Sequence, residues 1–284
     1  MEILKRILTW LAVMAALTIV AVGLWYMLSM GSLSTASLKW LQFMQTLGTF
    51  ALPPLMCAWR WSGDYRPLRW LGLDRRPDGK IAVLAILIMV CAIPGINLLA
   101  DLNGRLELPE SLDFIEHFLR QQEDEAAALT KRFLETDSIL GVMINVGLLA
   151  VLAAFAEELS FRGTLQQILG NKSAAIWITA IIFSAVHMQF YGFVPRMLMG
   201  ALFGYAFAWT GDLWIPMLMH FTNNSIAVLS YYLFDETAEN SKNIADTIGA
   251  GDTWWLGLLS LAAVSGLVWL LRRISSEGCN ERPA

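Results

Sequence analysis

Residues 139–156, ILGVMINVGLLAVLAAFA, contain one polar side chain, Asn145, and no charge. About 20 mostly apolar residues are what an α-helix needs to cross the hydrocarbon core of a bilayer. Runs of this kind recur at 7–30, 39–59, 81–100, 139–165, 174–190, 196–211, 214–234 and 254–271. The fold class they predict is all-α: a polytopic integral membrane protein of about eight transmembrane helices, forming one transmembrane domain over 1–284. Composition agrees, since only 15% of residues are charged where a soluble domain has about 25%. Twelve tryptophans suit a chain with many membrane interfaces. Lys5 and Arg6 precede the first run, but 7–30 is too long for a signal-peptide core and reads as an uncleaved first span.

Orientation follows from the distribution of Lys and Arg. The 60–80 loop holds six Lys/Arg against three Asp, the N-terminus adds Lys5 and Arg6, and the tail after the last run opens with Arg272 and Arg273. Segment 101–137 instead carries ten acids against four bases, and loop 235–252 five acids against Lys242. Eight spans with both termini cytoplasmic put every basic segment inside and both acidic ones outside. The 101–137 segment reads as an outer acidic helix with a Glu116–Arg120 pair at i,i+4. It lies on the outer surface or serves as a lid. Charge asymmetry without an organelle signal points to a multi-pass protein of a bacterial inner membrane. No basic tract or nucleic-acid motif is present, so nucleic acid is not an expected partner. Cys57, Cys91 and Cys279 are scattered, which excludes a disulfide framework or a cysteine metal cluster. Cys279 is also too far from the C-terminus for a prenylation box.

Polar side chains inside spans cost about 2.5–3.5 kcal/mol each at a helix centre when charged, so each is a functional candidate. They form three clusters: Glu157, Glu158 and Arg162; His187 with Gln189; His220 with Asn223 and Asn224. Glu158 and Arg162 are i,i+4 neighbours and can pair. Glu157 points about 100° away, on the face of Phe161, and is left free to work. At 1.5 Å per residue, Glu157 lies about 18 Å from a helix end near Leu169, His187 about 20 Å from Ala174, and His220 about 9 Å from Trp214. These depths allow one shared cavity, with side-chain reach needed to bring in His220. His117, beside Glu116 in the acidic segment, reads as a surface residue.

Converging Glu and His side chains suggest water activation, with the carboxylate as general base assisted by histidine or by a metal. Glu157, His187 and His220 also match a catalytic site for zinc or another divalent metal, with one position open for water. Asn224 is an amide donor suited to an oxyanion. This is chemistry for hydrolysing an acyl bond, and in a membrane that bond is expected to be a peptide. Neither a GxSxG elbow nor HExxH is present. Pro53-Pro54 and Pro94-Gly95 should kink their helices. Gly200 and Gly204 form a GxxxG along which a neighbouring helix can approach.

EELSFR (157–162), FSAVH (183–187) and HFTNN (220–224) resemble, in order and spacing, the EExxxR, FxxxH and HxxxN motifs of the CPBP family. These are the type II CAAX prenyl protease and bacteriocin-processing, or abortive-infection, intramembrane metalloproteases. The resemblance covers about 139–231 and implies a catalytic core there. It implies that Glu157 and His187 activate water, and that His220 and Asn224 bind the oxyanion or complete a metal site. Glu158 and Arg162 would hold the site together. The implied function is an intramembrane endopeptidase acting on a membrane-associated peptide or protein, with the lipid bilayer as its surroundings. Two alternatives stand beside it. One is a non-proteolytic scaffold or bacteriocin-immunity protein on the same fold; the other is a transporter with a Glu/Arg/His path, against which the absence of repeated halves argues.

Overall fold

The computed structural model describes residues 1–63, 66–233 and 247–280, apart from the side chains of 278–280. Only 247–252 of the acidic 235–252 loop, and none of the Cys279 side chain, fall within them. No β-strand occurs among the described residues. The helices are α1 (Glu2–Ser29), α2 (35–61), α3 (Pro67–Leu71), α4 (Gly79–Gly104) and α5 (Asp113–Leu134). They continue with α6 (Ile139–Gln166), α7 (Ser173–Ala185), α8 (Phe193–Thr210), α9 (Trp214–Leu233) and α10 (Trp254–Asn280). The protein is thus an all-α polytopic membrane protein. Helices Glu2–Ser29, Gly79–Gly104 and Ile139–Gln166, with the stretch Gly251–Glu277, are long and apolar enough to cross a bilayer.

Leaving α3 and α5 aside, the helices alternate between two ends of the bundle. At one end, Arg6 lies 5.6 Å from the Trp61 ring, Gln167 donates to the Trp70 carbonyl (2.7 Å), and Leu213 N–H donates to Gly72 O (2.9 Å). At the other end, Arg132 donates to Leu33 O, Asn145 to Leu134 O (3.2 Å), and Asn103 to Phe190 O (3.0 Å). The apolar core spans the length between them. Ile88, Phe203, Met219 and Leu271 join α4, α8, α9 and α10. Trp10, Cys57, Phe161 and Phe183 join α1, α2, α6 and α7.

Helix α7 is shorter than the expected 174–190 run. It has 13 residues, or about 20 Å against a hydrocarbon core of about 30 Å. The chain turns at 186–188, with Met188 at φ 55°, so His187 lies in the turn after the helix rather than on it. His187 is half-buried there, and the segment just after the turn is covered by α5. Tyr191 N–H donates to Glu123 (3.3 Å), and the Arg120 guanidinium sits 4.5 Å from the Tyr191 ring. Irregular backbone at such depth is tolerated where protein covers it. The α8–α9 loop is sunk from the opposite end, where Leu213 is fully buried against Leu71 of α3.

Both proline sites lie within helical stretches. Pro53-Pro54 follow a π-helical turn, Thr46–Ala51. In α4 the Ser260 hydroxyl of α10 inserts beside Pro94, accepting from Gly95 N–H (3.0 Å) and donating to Cys91 O (2.5 Å). It thereby bridges the i→i−4 step, a recognised cause of helix bending.

Candidate active site

Helix α6 has two π-helical turns, Val146–Leu152 and Phe161–Gln166, and the first motif begins between them and ends in the second, which holds Arg162. Such turns widen a helix and cluster at functional sites. Side chains from neighbouring helices donate to carbonyls in the π-turns: Asn224 to Leu149 (3.0 Å) in the first, and Ser160 to Phe50 (2.9 Å) in the α2 turn. Gln167 donates to Gly163 (2.6 Å) in the second α6 turn.

Glu158 and Arg162 are both fully buried, with Arg162 Nη1 donating to Glu158 Oε1 (2.7 Å). Burying an arginine is costly unless a carboxylate and further acceptors compensate its charge. Nη2 donates to the Gly200 carbonyl (2.8 Å), and the guanidinium faces Phe183 at 4.5 Å and Phe203 at 5.4 Å. One turn on, fully buried Gln166 donates to the Gly204 carbonyl (3.0 Å). Arg162 and Gln166 on α6 thus match Gly200 and Gly204 on α8, rung for rung. A Cβ at Gly204 would stand 2.7 Å from Gln166 Oε1 and 2.8 Å from Ile176. GxxxG is therefore the surface that α6 and α7 press against, as the sequence pattern predicts.

His220 lies between the two glutamates. Its Nδ1 donates to Glu158 Oε1 (2.9 Å), and its Nε2 stands 3.9 Å from Glu157 Oε2. The ring stacks on Phe203 at 5.3 Å and meets the Phe183 edge at 5.9 Å. Depth counted from Trp214 placed this histidine too shallow, because α9 begins at the sunken loop well inside the bundle. Glu157 is the less constrained acid. Its Oε2 is buried with no hydrogen-bond partner among the described residues, as are Glu158 Oε2 and Arg162 Nε. The expected division between a bound Glu158 and a free Glu157 is what the geometry displays.

His187 Nδ1 lies 2.8 Å from the Phe183 carbonyl, which can only accept, so Nδ1 carries the proton and Nε2 the lone pair. His220, donating through Nδ1 to a carboxylate, is the same tautomer. Asn224 spends one amide hydrogen on Leu149 and accepts from Asn223 (3.2 Å), leaving its second N–H for another acceptor. Among the described residues no three His, Cys, Asp or Glu side chains stand close enough to hold a metal ion. Glu157, His187 and His220 do not, as they stand, form a ligand set.

Two polar residues absent from the motifs support this centre. Asn103, buried at the end of α4, donates to Phe190 O and accepts from Val194 N–H, both at 3.0 Å, and so clamps the segment that follows His187 and leads into α8. Arg196 on α8 donates to Gln189 Oε1 (2.7 Å) and lies in electrostatic range of Glu157 and His187. Asn103 in DLNG reads from sequence as a helix-ending residue, and Arg196 as a flank of the 196–211 run. Only the short α7 reveals their roles.

Residues 139–226 match the family described as type II CAAX prenyl endopeptidase Rce1-like. The match bears out the recognition made from EELSFR, FSAVH and HFTNN, and describes a membrane protease family over that segment. The uncharacterized protein YpbD of Bacillus subtilis (strain 168) is 35% identical over 82 residues, 28% of this chain and 41% of YpbD. The chain therefore spans less than half the length of this curated relative. No solved structure matches it.

Proposed function

We propose that this protein is an intramembrane endopeptidase that hydrolyses a peptide bond of a membrane-associated protein or peptide through glutamate-activated water. The observation that carries the reading is the arrangement at His220: Arg162 and the imidazole both bond Glu158 through Oε1, while Glu157 is bonded by neither and holds an unpartnered buried oxygen 3.9 Å from Nε2. Glu157 takes the proton of a water whose oxygen attacks the scissile carbonyl, and returns that proton to the leaving amine. The His187 Nε2 lone pair accepts the water's other hydrogen and orients it. The spare Asn224 N–H stabilises the oxyanion, while His220 is held by Glu158 through Nδ1 with its Nε2 beside Glu157. Glu158 and Arg162 orient His220 and touch no reacting atom. The family match over 139–226 supports the reaction class.

The test compares purified wild type with Glu157→Gln on membrane-tethered peptides, with cleavage mapped by mass spectrometry. Loss of about 10²–10⁴-fold in rate with unchanged folding is expected for removal of a general base. Cleavage by the variant at wild-type rate would overturn the assignment. Chelation should leave wild-type cleavage within about twofold, since the reaction above uses protein groups only. A loss restored by zinc would replace the glutamate-only mechanism with a metal one.

A further inference from the structure

The His220 face of α9 continues beyond the site. Asn223, Ala227 and Tyr231 follow on the same side, and with Ser230 and Ile226 they line a cavity of about 640 Å³ between α4, α5 and α9. Ile93 and Ile96 of α4 and Met199 of α8 form its apolar wall, and Met199 precedes Gly200, the residue that accepts from Arg162. Its volume lies within the range of ligand sites, about 300–1,000 Å³. Among the described lining residues only Lys131 of α5 is charged. Lys131 stands at the far end, because the Leu134 carbonyl one turn on is held by the Tyr232 hydroxyl at the end of α9.

Helix rise sets the scale. Asn223 is about 5 Å and Tyr231 about 16 Å along α9 from His220. An extended peptide advances about 3.3 Å per residue, so about five residues cover the distance from the reacting centre to the Lys131 end. We propose that this cavity is the subsite for substrate on one side of the scissile bond, and that it takes an apolar stretch with an acidic side chain about five residues from the cut. The proposal rests on the endopeptidase reading above. Continuity with the His220 stripe identifies the occupant as peptide substrate, and the single cation sets its charge.

The test uses full-length Glu157→Gln protein in nanodiscs, with apolar peptides that carry Glu or Lys at that position and a benzophenone residue beside it. Crosslinks should map to 127–134 and 223–231. Ile226→Trp, which fills the cavity, should weaken binding at least tenfold while keeping the wild-type Tm. Lys131→Glu, on the face of α5, should reverse the preference from the Glu peptide to the Lys peptide. Crosslinks elsewhere, no binding, a bound phospholipid that the peptides fail to displace, or indifference to both variants would overturn the proposal. Cleavage of the same peptides by wild type is followed in parallel. Cavity labelling without cleavage would sink the endopeptidase reading and leave a peptide-binding cavity. Cleavage with labelling elsewhere would sink the cavity alone.

Discussion

At the scale of single residues, the two glutamates should respond oppositely to substitution. Arg162→Ala leaves Glu158 buried without its cation, and breaking a buried pair on one side costs about 3–5 kcal/mol. A large fall in detergent-phase Tm is expected, whereas Glu157→Gln, which removes no hydrogen bond, should leave Tm within a degree or two. Equal destabilisation by both would contradict the division of labour drawn here. This much was legible in EELSFR, because helix geometry alone separates the two carboxylates by about 100°. The proximity of His220 was not, since it depends on how deep the α8–α9 loop sits. The α5 carboxyl of Glu116 offers a pH test outside the membrane. The Leu108 N–H first, and then the Arg120 guanidinium, hold it below the usual carboxylate range. A carboxyl lowered by folding contributes above its unfolded value and loses that contribution as pH falls through its folded value. The Leu108 amide should thus keep its exchange protection at neutral pH and lose it only as pH falls through the lowered folded value of Glu116, and Glu116→Gln should lose it at every pH. Protection in the variant equal to wild type would remove Glu116 as its cause.

At the scale of elements, the short α7 decides how His187 is held. A 13-residue helix cannot bring its own end to the membrane surface, so the segment that follows His187 depends on Asn103, Glu123 and Arg120 from α4 and α5. Asn103→Ala should loosen that segment while leaving Glu157 and His220 in place. The expected result is a fall of roughly tenfold in kcat with KM little changed, the signature of an interaction realised in the transition state, partly rescued by Asn103→Gln. A change in KM alone would point to substrate binding instead. Sequence periodicity could not foresee this. Ala185, Val186, Met188 and Phe190 continue the apolar run, and no glycine or proline marks the stop at Ala185. The ladder between Arg162 and Gln166 on α6 and Gly200 and Gly204 on α8 was half visible, as GxxxG on one helix. Its partner residues emerge only when the two helices are laid side by side.

At the scale of the molecule, the two ends of the bundle differ in charge as the loops do. The end with Arg6, α3 and the sunken α8–α9 loop carries the basic 60–80 segment, while the end with α5 carries the acidic 101–137 segment. The helices alternate between these ends in the order that hydrophobic runs and Lys/Arg bias predict from sequence. Side-chain depth was the harder part, because it depends on the turn after α7 and on the sunken α8–α9 loop. The positive-inside bias then assigns the α3 end to the cytoplasm and α5 to the outer face. This is testable with single cysteines at two exposed positions, Asp74→Cys beside α3 and Asp124→Cys on α5, in a background where the native cysteines are replaced by serine. A membrane-impermeant maleimide should label Asp124→Cys in intact spheroplasts and reach Asp74→Cys only after permeabilisation. The opposite pattern would invert the protein and put α5, with the Lys131 end of its cavity, on the cytoplasmic side. Substrates would then have to present their acidic residue from the cytoplasm, so the same labelling also fixes the direction from which a peptide is threaded to Glu157.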